Sequence, residues 1–528
     1  MKQIFLKINL LTCLLLLVLT NSCREQVLDV VPVTALSDAT AFSSAETARL
    51  AVLGMYNKAQ GFVYFTAPGA AGANRGYPFG AAHIQQGDMR GEDMINQALF
   101  YAITNESTYS PVTANNLSMW NTLFALINET NIIIEGVRGA LTAEIIPAAL
   151  AQEYEAEARF LRALAYHELL IHFARPFADG NGDKLGVPYR TFAVTSGATA
   201  DEAAKLGRNT VAECYTLLLE DLDFAELNAP PTRTGDDRVG RVTSGAAIAL
   251  KTRIKLHQGD WNGVITEANK IVSAAAPFTS TIGGYALTAS PDGAFTNNAS
   301  TESIFSLINS TIDNPGANGA LAAMAGAPGL GGRGLIRISP IAYRLDRWLL
   351  TDKRRTLLTT ADTRSIYTTK FRDYVGRADW SPIIRYPEVL LNLAEAIART
   401  SGVDARAIAL LNAVRDRALE NPATETYTAA DFATANDLIG AILDEVRIEF
   451  LGEGRRWSNI HRLAVDPVFS TGGIPAKMSF ADATRARYDA GALPTSIPAI
   501  SYDNPRFIWP IPADELANNP AMQPNPGY

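Results

Sequence analysis

Apolar residues recur along this chain mostly at intervals of three and four. Residues 116–138 set Leu117, Trp120, Leu123, Phe124, Ile127, Asn131 and Ile134 close to one stripe. Residues 150–173 repeat it with Tyr154, Ala158, Leu161, Ala165, Leu169 and His172. That spacing keeps one face of an α-helix apolar and predicts two long amphipathic helices. A third helix is expected over 209–227, with Asn209 as N-cap and Glu213 in the first turns. Helix pairs follow at 243–258 with 262–274, across Gly259-Asp260-Trp261, and at 384–400 with 404–419, across Ser401-Gly402-Val403. A last long helix covers roughly 433–451. The pair from 385 to 418 occupies 34 residues, the length of a tetratricopeptide repeat, with alanines where its helices approach. Such pairs cannot bury their faces alone, so they stack. The expected fold class is mainly α: stacked tetratricopeptide-like helix pairs, a superhelix with a loop-rich face.

Long irregular stretches interrupt the helices. Residues 61–80 hold five glycines among Phe62, Tyr64, Phe65, Tyr77 and Phe79; residues 311–334 hold seven glycines; residues 493–528 hold eight prolines. Structureless segments of this length are uncommon unless they are functional or disordered, and aromatic side chains favour function.

The N-terminus adds an address. Lys2 and Lys7 precede a mostly apolar run of 12 residues from Ile8 to Leu19, then Thr20-Asn21-Ser22-Cys23. A basic start, a short apolar run and a small residue before a cleavage point predict a signal peptide over 1–22, too short to span a bilayer. Ending on Ser-Cys, the segment resembles a lipobox, with Cys23 as the lipid-bearing first mature residue. Cys214 is then the only thiol left for disulfide chemistry, expected as a small buried apolar residue. Loss of Lys2 and Lys7 takes the formal net charge from −8 to −10. With no long basic run, nucleic-acid binding is disfavoured.

The order of short motifs resembles one family, the SusD/RagB outer-membrane lipoproteins. After Leu28-Asp29-Val30-Val31-Pro32 come residues 41–56, Trp120-Asn-Thr-Leu-Phe, Ile127-Asn-Glu-Thr-Asn131, Glu157-Ala-Arg-Phe-Leu-Arg-Ala-Leu-Ala-Tyr166 and Gly240-Arg-Val-Thr243. The C-terminal half continues with Asp352-Lys-Arg354, Ile384-Arg-Tyr-Pro-Glu-Val-Leu-Leu391, Leu411-Asn-Ala-Val-Arg415, Arg447-Ile-Glu-Phe-Leu-Gly-Glu-Gly-Arg455 and Trp509-Pro-Ile-Pro512. The resemblance implies an N-terminal region over 23–278 and a C-terminal region over 279–528, joined in one compact body. It implies a surface-exposed, lipid-anchored protein of the outer membrane that captures an oligosaccharide, or in some members a peptide, for a SusC-like TonB-dependent transporter. It implies no cofactor and no enzymatic activity.

A sugar site needs aromatic platforms and a few polar groups, and the resemblance places it among loops of the N-terminal half and middle region. The expected ligand-binding residues are Tyr64, Phe65, Tyr77, Asp88, Arg90, Asn96, Tyr101 and Tyr109, with Tyr285, Phe295, Asn297 and Asn318 from the middle. Trp120 and Trp261 are expected in the core.

Rival chemistries fare worse. Glu445, Glu449 and Glu453 stand at i, i+4 and i+8. A glycosidase needs two carboxyl groups flanking a cleft, whereas this spacing favours ion-pair ladders with nearby Arg447, Arg455 and Arg456 in the scaffold. His167 and His172 sit about 140° apart on a helix, so they do not converge on a metal. His83, His257 and His461 are isolated in sequence, no metal site is expected, and structural or surface roles are expected for all five histidines. Gly329-Leu-Gly-Gly-Arg-Gly334 lacks the Gly-Lys-Ser/Thr ending of a phosphate loop and is expected as a flexible loop.

Overall fold

The computed structural model describes residues 38–61, 75–97 and 99–528. Cys23 and the leader before it, and the loop aromatics Tyr64 and Phe65, lie outside the described residues. The helices that carry the argument are α1 (Ala45–Gln60), α2 (Ala81–Met89), α3 (Ala114–Thr142), α4 (Ala148–Phe173), α5 (Val211–Asn228), α6 (Ser244–Gln258), α7 (Trp261–Ala268), α8 (Tyr386–Ser401), α9 (Ala405–Arg415), α10 (Ala435–Glu449) and α11 (Arg455–Arg462). Among the described residues, no helix is long and apolar enough to cross a membrane.

Local chemistry sets the helix ends. Helix α5 starts one residue later than the expected cap at Asn209. Thr210 closes a capping box in which its Oγ1 accepts from the Glu213 backbone N–H at 3.1 Å, and the Glu213 carboxylate accepts from the Thr210 N–H at 2.8 Å. Asn209 is used elsewhere: its Oδ1 accepts from the Tyr189 N–H at 3.0 Å. Helix α6 stops at Gly259, whose φ of 70° is the left-handed conformation that releases a chain from a helix. Helix α7 is shorter than the expected 262–274. Turns take over after Ala268, burying Ile271 and Val272, and the Ile271 carbonyl accepts from the Tyr386 hydroxyl at 3.1 Å.

The helices stack in chain order. Helix α1 packs on α3, α3 on α4, α4 on α5, α5 on α6, and α6 on α7 and α8; α8 then receives α7, α9 and α10. Each pair buries its apolar stripe against the next, and one hydrophobic core runs from Ala48 through Trp120, Tyr166 and Leu250 to Leu390, Ile442 and Trp509. Trp120 is buried there as expected. Trp261 is only half-buried, with its ring under the Arg399 guanidinium at 4.5 Å. Cys214 is buried, and its thiol faces the Val187 carbonyl at 3.4 Å.

Among the described residues, four small antiparallel sheets complete the fold: β1 (Met94–Asn96) with β3 (Ile336–Ile338), β2 (Ser303–Leu307) with β6 (Ser381–Arg385), β4 (Thr359–Ala361) with β5 (Ile366–Thr368), and β7 (Gly473–Ile474) with β8 (Ile500–Ser501). Strands β2 and β6 pair Phe305 with Ile384 and Ser303 with Arg385. That register delivers the Arg385 side chain to the end of α10.

There the three glutamates of the i, i+4, i+8 series meet their partners. They do not pair along their own helix. Arg385 bonds Glu302 at 2.5 Å, Glu449 at 2.9 Å and Glu453 at 2.8 Å; Lys370 bonds Glu453 at 2.6 Å. Arg417 bonds Glu302 and Glu449, and Arg354 bonds Asp352 at 2.8 Å, Glu445 at 2.6 Å and Glu449 at 3.2 Å. All nine side chains are nearly sealed from water. The arginines expected as neighbours turn away instead: Arg447 to Asp93 and Glu92, Arg456 to Glu92, and Arg455 to Glu388. Burial opposes ionisation of Glu449, but Arg417, Arg385 and Arg354 outweigh it and hold its carboxyl down at about 2. Burial pushes Glu445, at the edge of the cluster, upward despite Arg354.

Removing one partner from such a cluster strands the others in a medium that cannot solvate them. Arg385→Met is expected to cost about 3–5 kcal/mol, read from urea unfolding. Arg49→Met, which breaks an exposed pair with Glu46 on α1, is expected to leave the midpoint unchanged.

Candidate functional site

The loops at the ends of β2 and β6 gather into one face. Segment 308–319 leaves β2, and segment 372–380 leads into β6. Gln60 at the end of α1 fastens the first, its Nε2 donating to the Ile308 carbonyl at 2.8 Å, the Asn309 Oδ1 at 2.8 Å and the Asp313 carbonyl at 3.1 Å. Asn309 ties the two segments together by donating to the Asp379 carbonyl at 2.7 Å, and Asn314 donates to the Gly376 carbonyl at 3.4 Å. The Ala81 N–H donates to the Gly319 carbonyl at 2.9 Å, which brings the start of α2 to the same place. Gly61 and Arg75, the described residues flanking 62–74, both approach this face: Gly61 lies against Tyr77 and Gly76, and Gly76 against Gly319.

Two half-buried aromatics stand on it. Tyr374 packs against Gly326 and Gly331, and a Cβ on Gly326 would come within 2.2 Å of its ring. Trp380 is held through its backbone N–H, donated to the Asn298 Oδ1 at 3.3 Å, and its indole N–H makes no hydrogen bond among the described residues. Ile312 and Val375 are almost fully exposed beside them. Beneath lies a cavity of about 210 Å³ lined by Tyr56, Asn57 and Gln60 of α1, by Arg241, and by Ile308 and Asp313. The glycine run 329–334 begins in a short 3₁₀ turn with Gly329, Leu330 and Gly331 exposed, and packs at Gly332, where a Cβ would come within 2.2 Å of the Gly326 carbonyl.

Several expected ligand residues are elsewhere. Asp88 and Arg90 end α2 in the interior, not in an open loop. Asp88 accepts from the Gly454 N–H at 3.1 Å, and burial holds its carboxyl well above the usual range. Arg90 is fully buried without a carboxylate; it donates to the Phe507 carbonyl and His172, and its guanidinium lies 3.4 Å from the Trp457 ring centre. Burial brings it down to about 10. Tyr109 caps this cage by donating to the Arg506 carbonyl. Tyr77 accepts from Gln86 Nε2 at 2.9 Å; Tyr101 packs in a secondary core with Met89 and Met94; Tyr285 bonds Thr243 at 2.9 Å. Phe295 meets Phe371 edge-on with centroids 6.0 Å apart. These seven are buried, so as they stand their polar tips and ring faces serve the interior. Asn96 lies half-buried in β1. Asn297 is exposed, and Asn318 is half-exposed on the loop face, accepting from Arg333 at 2.6 Å. Tyr374 and Trp380 do not stand out in the sequence, because isolated aromatics in the irregular stretch before Pro382 belong to no periodic pattern.

Two family models match the chain on either side of its middle. One, described as the SusD family, matches residues 358–528; the other, described as starch-binding associating with outer membrane, matches residues 69–256. Both halves of the chain therefore resemble SusD-type proteins. SusD-like protein P2 of Formosa agariphila is 27% identical over 421 residues, which cover 71% of this chain and 74% of that protein. The crystal structure of a SusD superfamily protein from Bacteroides fragilis superposes with a TM-score of 0.74 at 25% identity, covering 91% of this chain and 99% of that one. A laminarin binding SusD-like protein shares the fold, with a TM-score of 0.65 at 20% identity over 92% of this chain and all of the other.

The interior beside Arg90 also fixes a pH response. His461 is buried with its Nε2 on the Ala174 carbonyl at 2.9 Å, and burial lowers it to about 3. The unfolded chain therefore takes up a proton below its ordinary value of about 6.5 while the folded chain does not. Stability is full above that value and falls as the pH drops toward the folded one. Between pH 7 and 5.5, His461→Gln should lose about 1.2 kcal/mol less than the parent, measured by urea unfolding at both pH values.

Proposed function

We propose that this chain is a lipid-anchored, surface-exposed outer-membrane protein that captures an oligosaccharide on the loop face and hands it to a SusC-like TonB-dependent transporter. The observation that carries the reading is Trp380: a half-buried indole, rooted by its backbone, with an open N–H among polar loop groups. A sugar ring offers an apolar face for such a platform and hydroxyls for its surroundings. Tyr374, Asn297 and Asn318 extend the surface, and Tyr64 and Phe65 belong to the segment whose flanks reach it. The laminarin-binding relative supports a glycan over a peptide, and the outer-membrane description of the N-terminal family model supports the location. The Ser22-Cys23 junction supplies the anchor. The three glutamates of 445–453 are consumed by the buried charge cluster, which leaves the tethered-glycosidase alternative without its acid pair.

Calorimetry against a panel of oligosaccharides, laminarin fragments among them, and of peptides tests the reading. One glycan is expected to bind saturably, and Trp380→Ala to weaken it about tenfold or more, roughly 1.4 kcal/mol, with unchanged melting. Binding of peptides alone, or undiminished glycan binding by Trp380→Ala, would overturn it. Cys23→Ala is expected to leave the membrane fraction when the transporter is absent.

A further inference from the structure

We propose that the small cavity between α6, α8 and α11 binds one halide ion of chloride size, held by the Arg253 and Arg455 guanidinium groups. The cavity measures about 30 Å³, and Arg253 and His257 of α6, Glu388 and Asn392 of α8 and Arg455 of α11 line it. About 10–15 Å³ suffices for one water, so a monatomic ion fits and a sulfate, a phosphate or a sugar ring does not. Arg253 is only 3% exposed. Its Nε and Nη2 donate to the two Glu388 oxygens at 2.5 and 2.8 Å, and Nη2 donates also to the Ile383 carbonyl at 2.6 Å. Its Nη1 is buried and has no hydrogen-bond partner among the described residues. A buried cationic N–H with no acceptor is costly, and an anion beside it removes that cost.

The charges at the cavity point the same way. Among the described residues Arg455 uses only its Nη2, which donates to the Ile383 carbonyl and to Glu388 at 3.2 Å. Two guanidinium groups therefore share one carboxylate. Burial, and then the charge of Arg253, pull the Arg455 guanidinium below its ordinary value despite Glu388, Glu168 and Glu453. Arg462 on the same wall is already matched, with Nη1 and Nη2 donating to Glu395 at 2.9 and 2.7 Å. A water molecule would accept from the Arg253 Nη1 but bring no charge; a halide does both. Glu388 does not contest the position. Its oxygens are taken by three N–H donors at the Nε–Nη2 edge of Arg253, and Nη1 lies at the other end of the guanidinium.

The surroundings hold the donors in place. Ser458 and Asn459 donate to the Arg455 carbonyl at 3.0 and 3.2 Å, and Asn392 donates to the Thr252 hydroxyl at 3.3 Å. The His257 Nδ1 is also buried without a partner among the described residues. Burial keeps that ring neutral, edge-on to His167 with centroids 4.7 Å apart, and a proton carried on Nδ1 makes it a further donor. Arg253 and Glu388 are 135 positions apart, and Glu388 and Arg455 are 67 apart, so the site has no motif along the chain. A bound ion ties α6 of the first half to α8 and α11 of the second, and its binding is read as stability.

The test dialyses the purified mature protein into sodium gluconate and raises sodium chloride at constant ionic strength while the melting temperature is followed. A saturable rise is expected with chloride and with bromide, and none with sulfate. Crystals grown in sodium bromide should show an anomalous peak in the cavity, within hydrogen-bonding reach of the Arg253 Nη1. Arg253→Lys keeps the charge but removes Nη1, and should weaken the chloride response about tenfold or more while remaining folded by circular dichroism. Arg49→Met, at an exposed pair, should respond as the parent does. An equal rise in sulfate, a cavity that holds only water in the bromide crystals, or an unchanged response in folded Arg253→Lys would overturn the proposal.

Discussion

Four cations and five carboxylates buried together are the constraint on which this structure turns. Arg385, Arg417, Arg354 and Lys370 reach Glu302, Glu449, Glu453, Glu445 and Asp352 from six separate stretches of chain. None of these charges is tolerable alone in the interior. The end of α10, strand β6, the residue before β2 and the segments around 354, 370 and 417 must therefore arrive together. Hydrophobic stacking alone would allow neighbouring helices to slide; this cluster fixes their register.

The loop face grows from the same roots. Glu302 and Arg385 flank the paired strands β2 and β6. Segment 308–319 begins where β2 ends, and segment 372–380 runs between Lys370 and β6. A rigid charged base thus presents side chains such as Trp380 on loops that are free to differ. The loop face proposed for glycan capture and the stability of the body therefore rest on different residues, joined through a few strand positions.

Much of this was legible in the sequence, for identifiable reasons. The long helices declared themselves because a one-sided apolar stripe repeats through several turns, as in α3 and α4. The strands did not, because they are at most five residues long and β2 is buried on both faces, which erases alternation. The glutamate series was visible, but its partners lie 32 to 95 residues away, and spacing along one helix pointed to the wrong arginines. Asp88 and Arg90 looked like loop polar groups beside a glycine-rich stretch. In fact α2 carries them inward, where Trp457, Trp509 and Tyr109 from distant segments enclose the guanidinium. Asn297 and Asn318 stayed on the outside, where the sequence placed them.

The most direct test of the link between charge cluster and loop face is amide hydrogen exchange on the parent and on Glu302→Gln. Glu302 accepts from both Arg385 and Arg417 and from Thr288, and the amide keeps the shape while removing the charge. The account predicts faster exchange in 308–319 and 372–380, with protection in α3 and α4 retained. Unchanged exchange in those two segments, or equal acceleration throughout the chain, would contradict it.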